Sequence, residues 1–84
     1  MFARKLELIL VGPAGERRPV PMAWLEQFFL RDFTGSSAFD ETLPVADGVL
    51  ETGLEVDAGE VRAQLETWLR GRKMIGPDTG VAAG

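Results

Sequence analysis

Along Arg4 to Val11, Leu6, Leu8 and Leu10 alternate with Lys5, Glu7 and Ile9. This two-residue period predicts a strand with one buried face, and Ile9 and Val11 make its far end apolar on both sides, as an interior strand requires. Gly12-Pro13-Ala14-Gly15 has turn chemistry. Arg17 to Val20 then reads as a short returning strand, with Pro19 suited to a sheet edge.

From Val20 to Phe33 the period becomes helical. At about 100° per residue, Met22, Leu25, Phe29 and Phe33 fall within about 80° of one another. Trp24 and Phe28, four residues apart, form a second strip roughly 100° away, flanked by Gln27 and Arg31. Two arrangements account for both strips. Either a sheet and a second helix cover this helix on two sides, as a wide apolar stripe permits, or Trp24 and Phe28 are left for a partner, with Arg31 beside them. Pro21 fits the first helical position, no Ser, Thr or Asp precedes it as a cap, and Gly35 is the expected stop.

Thr34 to Thr42 reads as a polar loop pinned by Phe39. Leu43 to Ala46 and Val49 to Val56 flank Asp47-Gly48, a dipeptide suited to a tight hairpin turn. Pro44 marks the first arm as an edge. The second arm is expected to point Leu50, Thr52, Leu54 and Val56 inward and Val49, Glu51, Gly53 and Glu55 outward, with Gly53 as a candidate bulge. Asp57-Ala58-Gly59-Glu60 has the D-x-x-E form of a capping box and opens a second helix. Its stripe is Ala58, Val61, Leu65, Trp68 and Leu69, anchored on Trp68. Glu66 and Arg70 are spaced for an ion pair, Arg70, Arg72 and Lys73 suit the C-terminal dipole, and Gly71 or Gly76 is the expected end. Gly76 to Gly84 has little to bury and is expected to be a mobile tail.

The expected architecture is therefore α+β in the order ββαββα. A small antiparallel sheet of about four strands carries two amphipathic helices on one face. Residues 1–75 form a single domain and residues 76–84 a flexible tail. The other sheet face shows Glu7, Glu51 and Glu55 beside Ile9, Val11 and Val49.

Composition narrows the function. The 84 residues contain no Cys and no His, which removes disulfides, the commonest general base and the usual transition-metal ligands together. GPAGERR lacks the spacing, Lys and hydroxyl of a phosphate-binding loop. Ser36 and Ser37 have no His base, and Asp40, Glu41 and Asp47 lack the calcium-loop pattern. No enzyme activity, cofactor or metal is expected. Arg4 and Lys5 before an apolar run resemble a secretory leader, but Glu7 interrupts the run and Gly12-Pro13 ends it. With no apolar segment near the length of a membrane span, the expected location is the cytoplasm.

Net charge is −4, unevenly spread: residues 32–66 hold nine acidic residues against one basic residue, Arg62, for −8. This middle repels nucleic acid, whose binding would have to rest on Arg4, Lys5, Arg17, Arg18, Arg70, Arg72 and Lys73. The pattern fits a small acidic protein-binding module, a regulator or inhibitor that docks on a larger protein with a basic surface. The expected contact residues are Trp24, Phe28, Arg31, Glu51 and Glu55. The alternative is a structural subunit of a homo-oligomer, associating through the same strip or through strand edges at Pro19 or Pro44.

Overall fold

A computed structural model describes residues 2–32 and 42–83, so Phe33, Gly35 and the loop anchor Phe39 lie outside the described residues. The elements run β1 (Phe2–Val11), β2 (Arg17–Pro19), α1 (Met22–Gln27) continuing as a π-helical turn (Phe28–Asp32), β3 (Thr42–Ala46), β4 (Val49–Asp57), α2 (Ala58–Gly71) and β5 (Gly80–Ala83). The α+β order ββαββα is present, with a fifth strand added. All strand pairings among the described residues are antiparallel.

β1 is the common strand. Its first part pairs with β4 from Phe2↔Asp57 to Glu7↔Val49, and its last residues pair with β2 from Ile9↔Pro19 to Val11↔Arg17. The change of partner falls at Leu8. Leu8 N donates to Gly48 O at 2.6 Å, Leu8 O accepts from Val20 N at 3.0 Å, and Gly48 N closes the ring onto Val20 O at 2.6 Å. The N–H and C=O of one strand residue point to the same side, so β4 and β2 lie end to end along one edge of β1. Gly48 makes the junction possible. It adopts φ +73°, and a Cβ there would stand 2.7 Å from the Leu8 carbonyl oxygen.

The opposite edge of β1 receives β5, from Leu8↔Ala83 to Val11↔Gly80. This corrects the expectation of a free tail over residues 76–84 and a domain ending at 75. Val81 is buried, and α2 holds the strand from its outer side. Glu66 Oε2 accepts from Val81 N at 2.9 Å, while Arg62 Nη1 donates to Val81 O at 3.2 Å. Arg70 donates to Thr79 O at 3.2 Å and to Glu66 Oε1 at 2.9 Å, so the expected Glu66–Arg70 pair is present and also orders the strand.

Leu6, Leu8, Leu10, Leu50, Val56 and Val81 from the sheet join Leu25, Phe28, Phe29, Val61, Leu65 and Leu69 from the helices in one core. Both helices thus sit on one sheet face. In β4 the expected alternation fails at one residue: Leu54 is 53% exposed. While β1 advances from Ala3 to Lys5, β4 moves from Val56 to Glu51. The extra residues form a bulge between Glu51 and Val56 in which Leu54 turns outward although Thr52 and Val56, of the same parity, are buried, and the Thr52 hydroxyl donates to the Leu54 carbonyl inside it.

The helix ends differ from expectation in instructive ways. Pro21 is the N-cap of α1, one position before the expected one, and Asp47 supplies the missing cap from the hairpin turn. α2 starts as expected, with Asp57 Oδ1 accepting from Gly59 N at 3.0 Å. Its last helical residue is Gly71, one of the two expected ends, but the left-handed residue lies two positions further on. Lys73 takes φ 59°, with Lys73 N donating to Arg70 O and Met74 N to Leu69 O, both at 3.0 Å, which is the Schellman arrangement. Trp68 is half-buried; Leu65 and Leu69 are the fully enclosed anchors of α2.

Candidate functional site

The wider turn after Gln27 advances each residue by a smaller angle than an α-helix does, and it brings Phe28 and Phe29 onto the core together. Phe28 is 5% exposed. Its ring meets Phe29 edge-on at 4.7 Å between centroids and lies 5.1 Å from Trp68. Phe28 therefore joins the two helices, which is the two-sided covering that the width of the stripe allows. Arg72 stacks over the other partner in this cluster, with its guanidinium carbon 5.1 Å from the Trp68 ring centroid.

Trp24 is half-buried against the same core. It borders a cleft of about 200 Å³ together with Glu16, Arg18, Met74 and Ile75, between the β1–β2 turn and the segment after α2. Arg31 is exposed on the outer side of the helix near Leu30 and Gln27. Glu51 and Glu55 are exposed on β4, and Glu51 lies on the sheet face turned away from the helices. The five expected contact residues do not converge on one surface. Trp24 and Arg31 belong to the helical layer, Phe28 to the core, and Glu51 and Glu55 to β4.

The outer sheet face has a definite register. Glu51 stands between Lys5 of β1 and Leu43 of β3, and Val49 stands between Glu7 and Ala46. Lys5 offsets part of the acidic charge across the strand pair. Leu43 is 56% exposed. Val45, at a bulge where β3 advances from Pro44 to Ala46 against Leu50 and Val49, is also exposed, as is Leu54. The alternation pattern pointed to Glu51 and Glu55. It missed these apolar neighbours, because Leu54 depends on the bulge and Leu43 on the choice of face for β3.

Compared with known protein families, with characterised proteins and with solved structures, the chain shows no match. Among the described residues no helix is long and apolar enough to cross a membrane.

Among the described residues, Asp57 is the titratable group whose environment is clearly perturbed. The Gly59 N–H donating to its carboxylate holds its pKa below the ordinary aspartate value. This is the N-terminal cap of α2.

Proposed function

We propose that the chain is a small protein-binding module that docks on a larger protein, as its regulator or inhibitor, through the outer surface of β3 and β4. The observation that carries this reading is the cross-strand pair Leu43↔Glu51, in which a leucine more than half exposed lies beside an exposed carboxylate. Leu54, Val45 and Glu55 extend the same mixture along the two strands. Apolar anchors fill pockets in a partner, while surrounding charges steer the encounter and exclude wrong partners. The complementary partner surface is an apolar depression rimmed by Lys and Arg.

The test uses a partner co-purified from the native host and then isolated. Leu43→Ser with Leu54→Ser should weaken its affinity at least about tenfold, with thermal stability little changed because both side chains are exposed. Wild-type affinity in the double variant would refute the reading.

The homo-oligomer reading draws support from the outer edge of β3, with which no strand pairs among the described residues. That edge is blunted. The alternation of ladder bonds, followed from Leu8 through Leu6↔Leu50 to Pro44, turns the proline's missing N–H outward, and the bulge at Val45 interrupts the edge further. A stable oligomer at micromolar concentration would favour the second reading, and a monomer the first.

A further inference from the structure

We infer that the second edge of β1, together with α2, is a strand-accepting groove that β5 fills only in part, and that an extended partner segment can displace Gly80–Ala83 and continue along Phe2–Glu7. The inference is independent of the β3–β4 surface. β5 pairs with Leu8 to Val11 of a strand that begins at Phe2. Leu6, Leu8 and Leu10 direct their backbone groups to the β4 and β2 side, so Lys5 and Glu7 direct theirs to the β5 side. Among the described residues no strand pairs with that edge over Phe2–Glu7.

The resident strand shows what the groove recognises. On one side it takes main-chain bonds from β1; on the other, Glu66 and Arg62 take the N–H and C=O of Val81. Backbone recognition on both sides is independent of side-chain identity, and specificity comes from five positions. A Cβ on Gly80 would lie 3.3 Å from Glu66 Oε2, so a small residue is favoured opposite Val11. The next position, opposite Leu10, takes a valine-sized apolar group. Beyond β5, the register calls for a basic residue opposite Glu7, an apolar one opposite Leu6 and an acidic one opposite Lys5. β5 commits one buried side chain, Val81, to the core, so its release is among the less costly openings of the fold. A longer segment gains the additional pairs.

The test is an amide-exchange titration of the full ¹⁵N-labelled chain with a synthetic peptide carrying the Thr79–Ala83 sequence followed by Arg-Val-Glu-Val. The Thr79–Ala83 peptide without the extension is the control. Expected results are slowed exchange at the Lys5 and Glu7 amides, faster exchange at the chain's own Val81 amide, and binding at least about tenfold tighter than the control. Val81→Gly in the chain should tighten the extended peptide by about tenfold, because it weakens the competing strand without touching the groove. Unchanged Lys5 and Glu7 exchange with millimolar peptide would overturn the inference, as would a folded Val81→Gly chain with wild-type affinity.

Discussion

Asp47 Oδ1 accepts a hydrogen bond from the backbone N–H of Met22 at 2.8 Å, across 25 residues of sequence. The tip of the β3–β4 hairpin therefore caps the first helix, whose own N-cap, Pro21, has no side-chain acceptor. Asp47→Ala should lower stability by about 1 kcal/mol, the usual loss for a helix cap. Asp47→Asn keeps an acceptor oxygen and should retain most of it. Urea unfolding of the two variants measures the difference.

Gly48, the next residue, carries the three-way junction at Leu8. Gly48→Ala combines φ +73° with a Cβ 2.7 Å from Leu8 O and 2.8 Å from the Pro19 Cβ, and should cost more than about 3 kcal/mol. Gly15 has φ +84° with nothing within 4 Å of its Cβ position. Gly15→Ala should therefore show the conformational cost alone, about 1 kcal/mol. Equal losses in the two unfolding curves would mean that the backbone approach at Leu8 is unimportant.

These two residues show where sequence patterning stops. The Leu6, Leu8, Leu10 alternation, the Asp47-Gly48 turn and the Asp57 cap are local and were legible. The same turn's second role, capping α1 and bridging β1 to Val20, depends on contacts between distant segments and has no local signature. β5 was missed for a similar reason: Gly80–Ala83 has a single buried side chain, and its partners, Glu66 and Arg62, sit a helix away. At the candidate surface, period-two alternation exposed Glu51 and Glu55 correctly but failed at Leu54, which turns outward inside the bulge between Glu51 and Val56. The Trp24 and Phe28 strip left core and interface open, because a helical wheel does not say how many neighbours a helix has.

Lys73 occupies the left-handed position that closes α2, with φ 59°. Glycine adopts this conformation without the steric penalty of a Cβ. Lys73→Gly should raise stability by about 0.5 to 1 kcal/mol, read as a higher denaturation midpoint at unchanged slope.

Asp57 gives the fold an acid-sensitive cap. Its pKa is lowered in the folded state by the Gly59 N–H, so its stabilising contribution is complete above the ordinary aspartate pKa and disappears as pH falls through the lower folded value. Asp57→Ala should reduce Tm near neutral pH, and the gap from wild type should close as pH falls through the lowered folded value. A gap of constant size across that range would contradict the assignment.

The protein-docking account is tested most directly by the salt dependence of association after charge reversal on β4. Glu51→Lys with Glu55→Lys changes two exposed side chains and should leave the fold intact. The purified partner should then associate at least about tenfold more slowly at low ionic strength, and the deficit should shrink as salt screens the field over about 10 Å or less. Association of the doubly reversed protein at the wild-type rate in low salt would contradict the account and leave Glu51 and Glu55 as solvated surface.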